Sequence, residues 1–190
     1  MTLLALPLST PTQAGVFGIP HFVAPGKSAL GVEPELTLSD GAGIGANLKY
    51  TYGMSDLNNV TAIIGTGSGP RRFRVGGSMT FDFFPDVEGQ PGIGLATQGV
   101  YYNLKEHGQF ELTAVPYIHK SFMNDGKDPV EPFLAFPFGL AFASGVYKAT
   151  TNIAVGAIFK ASEKINYVTE VGVAINNAES YVSGGFLYYF

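Results

Sequence analysis

Apolar and polar residues alternate along most of this chain, in segments of about ten residues separated by turn residues. Side chains on a strand point to opposite faces in turn, so such a pattern predicts strands with one apolar face. Ten segments are legible. In Leu30–Leu38, Leu30, Val32, Leu36 and Leu38 share one face; Gly31, Glu33, Glu35 and Thr37 share the other. Asp40-Gly41 then gives a hairpin signal. Ala42–Tyr52 sets Ala42, Ile44, Ala46, Leu48, Tyr50 and Tyr52 against Gly43, Gly45, Asn47, Lys49 and Thr51. Its eleven residues suit a tilted strand crossing a bilayer.

The third segment, Asn58–Thr66, aligns Val60, Ala62 and Ile64. In the fourth, Arg72–Phe83, Phe73, Val75, Met79, Phe81 and Phe83 oppose Arg72, Arg74, Ser78, Thr80 and Asp82. The fifth, Gly92–Leu104, changes phase near Gln98, which predicts a bulge there. The sixth, Gln109–Lys120, opposes Phe110, Leu112, Ala114, Pro116 and Ile118 to Glu111, Thr113, Tyr117 and His119. Pro132–Ala143 carries Leu134, Phe136, Phe138, Leu140 and Phe142 over a small face of Ala135, Pro137, Gly139 and Ala141. Thr151–Lys160, Ile165–Ile175 (with Glu170 on its polar face) and Tyr181–Phe190 complete the set. No stretch has the helical period.

Composition decides which apolar-faced sheet this is. Charged residues make up 14% of the chain, against about 25% in soluble domains. Phe and Tyr are abundant, Trp is absent, and there are 25 Gly. No apolar run reaches the length of a transmembrane helix; Phe133–Phe142 is too short and holds Pro137 and Gly139. A membrane chain without such helices must close its strands into a barrel, because lipid offers no hydrogen bonds to a free edge. The aromatics cluster at segment ends (Tyr50, Tyr52, Phe81, Phe83, Tyr188, Phe190), where the membrane–water interface favours them. The expected fold is therefore all-β: an antiparallel transmembrane β-barrel of about ten strands. The opposing expectation is a soluble lipocalin-like barrel or a sandwich, with the apolar face inside. The many Gly and Ala on the polar face and the low charge disfavour it.

The last strand, Gly185-Phe186-Leu187-Tyr188-Tyr189-Phe190, has alternating aromatics and a terminal Phe. It resembles the carboxy-terminal signal of bacterial outer-membrane β-barrel proteins. That resemblance implies residence in the bacterial outer membrane, a signal peptide in the precursor and periplasmic chain ends. It also implies recognition by the barrel-insertion machinery and contact with outer-membrane lipid or lipopolysaccharide. It matches no functional subfamily. With periplasmic ends, the longest connections, Pro85–Pro91 and Met123–Glu131, fall on the periplasmic side, whereas such barrels usually keep short turns there. Either the strand count is off by one or the loops are short throughout.

The N-terminal 29 residues stand apart from the barrel, residues 30–190. Residues 15–29 read as irregular chain that plugs the lumen or adds a short strand. Leu3 to Leu8 followed by Thr12-Gln13-Ala14 resembles the end of a secretory signal lacking its basic start, so residues 1–14 are a signal remnant or mature chain.

The inward face collects the candidate chemistry: Glu33, Glu35, Lys49, Arg72, Arg74, Asp82, Glu111, His119, Lys160 and Glu170. Five acids against four bases permit near-neutral pairing, which a narrow lumen demands. The plain reading is a structural polar network; the sharper one is a polar path or ligand site. His119 with Ser121 two positions on is a thin signal for nucleophilic catalysis. His21, His107 and His119 are too dispersed for a metal site, and without cysteine there is no thiolate ligand. Gly41–Ala46 lies within a strand and opens no helix, so it is no nucleotide loop. Gly65–Pro70 lacks the Lys-Ser/Thr of a phosphate loop, though Arg71 and Arg72 beside it suit lipopolysaccharide phosphates. Asn59-Val60-Thr61 has no glycosylation meaning in a bacterial strand. Net charge is −4 and the bases are scattered, which excludes a nucleic-acid face. No cofactor is implied, and association of copies stays open. The leading function is a non-enzymatic outer-membrane barrel, structural or binding a small or apolar ligand such as a fatty acid. A narrow pore and a lipid-modifying enzyme are the alternatives.

Overall fold

The computed structural model describes residues 22–39, 42–68, 73–87, 89–103, 108–124, 127–143 and 145–190. Among them are twelve strands and no helix. They are β1 (Ser28–Thr37), β2 (Gly43–Ser55), β3 (Asn58–Gly67), β4 (Phe73–Phe84), β5 (Gly92–Asn103) and β6 (Gly108–His119). There follow β7 (Phe122–Asn124), β8 (Lys127–Ala135), β9 (Phe138–Ala143), β10 (Val146–Lys160), β11 (Ile165–Asn176) and β12 (Tyr181–Tyr189). Every pairing is antiparallel. β12 pairs with β1, and β10 with β11, so the sheet closes on itself.

β8 and β9 are two halves of one wall strand. Both pair with β6 on one side and β10 on the other, in the same register. The barrel thus has ten wall strands, as the alternation predicts. The short β7 continues β6 beyond the rim, paired with the outer part of β8. The break in the wall strand falls at Phe136-Pro137, because proline has no N–H for the ladder.

The apolar faces point outward. Leu48, Ile64, Val75, Leu112, Leu140, Val155, Val171 and Phe186 are exposed, while their neighbours in sequence line the lumen. This is an exterior for lipid and not for water. β5 corrects the expected bulge near Gln98: its register runs unbroken from Gly92–His119 to Asn103–Gly108. Ala96, Val100 and Tyr102 simply face inward, so the apolar residues change sides while the backbone keeps its phase. The irregularity in this region lies in β4, between Asp82 and Phe84. β10 begins at Val146, five residues earlier than the sequence suggests.

The rim nearest the described chain ends carries connections 56–57, 85–91 and 161–164, and the β6–β8 excursion. The opposite rim has 38–42, 68–72, 104–107, 144–145 and 177–180. Loops are short on both sides, which resolves the doubt over strand parity. Gly145, directly before β10, has a φ of +80°, a left-handed conformation that other residues rarely adopt.

The lumen is filled by large side chains that lie across glycines of the next strand. Tyr181 faces Gly172, His119 faces Gly92, Tyr117 faces Gly94 and Phe133 faces Gly156, each a registered pair. A Cβ at any of these glycines would overlap the ring opposite. The glycine content therefore sets how much aromatic mass a narrow barrel can hold.

Residues 1–21, and with them most of the expected plug and the signal-like stretch, lie outside the described residues. Residues 22–27 lead irregularly into β1. Val23 is buried, and its carbonyl and that of Ala24 lie against Gly53. With its amide nitrogen turned toward the carbonyls, Asn59 donates to Val23 at 3.2 Å.

Candidate functional site

The charged side chains that alternation turns inward meet in three groups. The first joins β1 to β4 with β11 and β12. Glu33 is fully buried; Lys49 Nζ lies 2.8 Å from its Oε2, and Asn47 Nδ2 donates to the same oxygen at 3.1 Å. Two residues on, Arg74 Nη1 meets Glu35 Oε2 at 3.2 Å and Thr37 donates to Glu35. Glu170 accepts a short hydrogen bond from Tyr181. Gly45 and Gly65 leave the space in which the Arg74 guanidinium lies, which is the role of that glycine-rich stretch.

The second group sits toward the opposite rim. Thr150 donates to Glu111 at 3.0 Å, and Asn152 donates to the backbone carbonyl of Glu179 at 3.1 Å. The third occupies the mouth near the chain ends. His119 Nδ1 donates to Glu131 Oε1 at 2.7 Å, and its Nε2 stands 3.6 Å from Asp82 Oδ1. Tyr117 packs beside the ring and donates to the carbonyl of Phe81 at 3.3 Å. Just outside, the Lys120 ammonium bonds Asp86 Oδ1 at 2.6 Å and the carbonyls of Val87 and Gln90, while the Ser121 amide donates to Asp86 Oδ2. Burial alone would raise the Asp86 pKa, but the Lys120 and Ser121 hydrogen bonds outweigh it and hold the carboxyl below its usual range.

Apolar side chains share the lumen. Phe133, Ile158, Val168 and Leu187 pack together with Tyr189, and Ala96, Val115, Tyr117, Ala135 and Ala154 form a second cluster. Several polar atoms are buried with no hydrogen-bond partner among the described residues: Glu33 Oε1, Asn47 Oδ1, Arg74 Nε and Nη2, Asp82 Oδ1, His119 Nε2 and Ser183 Oγ.

Eight of the ten inward candidates, Glu33, Glu35, Lys49, Arg74, Asp82, Glu111, His119 and Glu170, are buried in the lumen. Lys160 is not; it is the last residue of β10 and is exposed, because a lysine at a strand end extends into water at low cost. Arg72, Arg71, His21 and His107 lie outside the described residues. Glu131 and Glu179 were not among the candidates. Glu131 directly precedes the assumed segment start at Pro132, and Glu179 belongs to a connection; period-2 logic sees neither. His119 and Ser121 form no nucleophile–base pair, since the ring nitrogens face Glu131 and Asp82. Tyr50, Tyr52, Phe83, Tyr188 and Phe190 stand exposed on the outer face near the chain-end rim, with Phe81 half-buried among them. Phe190 packs against Tyr50 and Tyr188, and Phe81 against Phe83.

A closed ten-stranded wall, apolar outside and polar inside, can be compared with solved structures. The COG4313 outer membrane channel from Pseudomonas putida F1 superposes with a TM-score of 0.55 at 11% identity, over 94% of this chain and all of that one. This chain has the fold of the bacterial outer-membrane β-barrels. A KdgM porin superposes less closely, with a TM-score of 0.40 at 11% identity over 85% of this chain and 99% of that one. No family model matches the chain, and no curated protein does. The fold is shared, and the apolar exterior suits a lipid bilayer.

Proposed function

We propose that this protein is a non-enzymatic outer-membrane barrel with a lumen closed by its own side chains, acting at the lipid interface on a small apolar ligand. The occluded lumen carries the reading. Glu33, Val115, Ala135 and Ala154 are fully buried, which an open aqueous bore would not allow. The outer face adds a recess of about 360 Å³ near the rim away from the chain ends, lined by Tyr101, Phe110, Phe142, Val146 and Tyr147 over Gly108 and Gly145. An acyl chain suits that lining, and the resemblance of the last strand points to outer-membrane lipid or lipopolysaccharide as the neighbour. Steady-state recordings in planar bilayers are expected to show a barrel closed for nearly all of the time, and native mass spectrometry a co-purifying lipid. A large constant conductance would overturn this reading.

A second reading is a narrow pore. The unpartnered buried atoms of Asn47, Arg74 and Ser183 favour it, since such atoms need water. The similar fold of a protein described as a channel is consistent with it. Resolved single openings, rather than leak, would support the pore.

A further inference from the structure

The wall is not equally strong around its circumference. Between β6 and β8, Phe136 N donates to Pro116 O at 2.9 Å, and Lys120 N donates to Pro132 O at 3.2 Å. In an antiparallel ladder each of these pairs would exchange two bonds. Neither proline has an N–H to return. The registered pair Ile118–Leu134 is therefore flanked on both sides by half-bonded pairs. Pro137 does the same toward β10, accepting from Asn152 and returning nothing. Three prolines thus loosen one short strand, where central strands normally exclude proline altogether.

That strand also carries one of the large side chains that fill the bore. Glu131, Phe133 and Ala135 are its inward residues. Phe133 crosses to Gly156 and packs against Ile158, Val168 and Leu187, near the mouth. Beyond this layer lie polar side chains, among them Glu33, Asn47 and Lys49. Apolar layers of this kind close water-filled paths by drying them. Glu131 ties the same strand to β6 through His119, with Asp82 behind.

We propose that β8 is the gate of the lumen, with Phe133 as plug, the Glu131–His119 contact as latch, and the proline-weakened seam against β6 as the line of opening. The proposal rests on the pore reading above. When the rim half of β8 tilts from β6 at the mouth, where water takes up the freed backbone groups, Phe133 leaves the apolar layer and the polar interior joins bulk water. Among the described residues six carboxylates are buried, Glu33, Glu35, Asp82, Glu111, Glu170 and Glu179, against the buried cations Lys49 and Arg74, with Lys148 half-buried on the inward phase of β10, so the path favours small cations.

The test is single-channel recording of the whole protein in KCl, with heat-modifiable gel migration confirming that each variant is folded. Glu131→Ala is expected to raise the open probability about tenfold or more, from loss of one charge-assisted hydrogen bond. Glu131→Gln lies between it and the parent. Phe133→Ala conducts continuously, with a reversal potential that shows cation preference. Ile118→Cys with Leu134→Cys, on the lipid face of the seam, is expected to silence the Glu131→Ala openings when oxidised and to restore them when reduced. The chain has no other cysteine, and a directly registered pair suits a disulfide. Silent Glu131→Ala beside a conducting Phe133→Ala would overturn the gate while leaving a plugged pore. Openings indifferent to the disulfide would overturn the seam, and anion preference would overturn the charge argument. Silence of Phe133→Ala as well would remove the pore reading itself.

Discussion

Lys49→Met separates a cation from a carboxylate that has no access to water. Glu33 is fully buried, and Lys49 Nζ lies 2.8 Å from its Oε2. At that distance the attraction is about 6 kcal/mol at an effective dielectric of 20. Desolvation of both groups offsets much of this, so the pair as a whole contributes far less. Removal of one partner is different, because the other charge stays buried; the typical cost is about 3–5 kcal/mol. Asn47 still donates to Glu33 in the variant, which places the expected loss toward the lower end. Equilibrium urea unfolding in lipid vesicles, followed by far-UV circular dichroism, measures it. Glu33→Met combined with Lys49→Met removes both charges of the pair and is expected to recover most of the loss. A single variant within about 1 kcal/mol of the parent would refute the reasoning. So would a double variant as unstable as the single, because the damage would then come from packing.

Gly172→Leu is expected to cost about 1–3 kcal/mol by overpacking against Tyr181, and Tyr181→Ala to relieve it in the same unfolding assay. The Asp86 clamp has a definite pH sign. Its carboxyl pKa lies below that of the unfolded chain, so its contribution is complete above the ordinary aspartate pKa of about 3.9 and is lost as pH falls through the folded value. Native-state hydrogen exchange at the Ser121 amide, which donates to Asp86, is expected to show protection that disappears on acidification and is absent at every pH in Asp86→Ala. Phe190→Ala is expected to slow assembly by the insertion machinery severalfold in a reconstituted assay, while stability after detergent refolding changes little. Equal assembly rates would remove the role assigned to the last strand.

The fold was legible because a barrel in lipid leaves its period-2 signature on every wall strand. What blurred it were side chains that suit both faces. Val100 and Tyr102 look like lipid-facing residues, yet a lumen packed with aromatics accepts them, so β5 imitated a phase change. The lumen charges were legible as a set, from Glu33 to Glu170, but their pairing was not. Glu35 meets Arg74 across 39 residues of sequence, through closure of the sheet and not through spacing. Glu131 is not legible in the sequence because prolines 129 and 132 disguise the outer half of β8 as loop. Lys160 kept the right phase but is the last residue of β10, where the side chain reaches water, a length effect that alternation cannot register.

The rim away from the chain ends has connections of only two to five residues. With the periplasmic chain ends that the resemblance implies, this is the face shown to the outside of the cell. With connections that short, an antibody or a phage tail would find little polypeptide there to grip. The same bareness makes the turn 144–145 an open berth for a grafted peptide. Such an insert would project without neighbouring loops to crowd or mask it, so the barrel is suited to carry foreign epitopes one at a time.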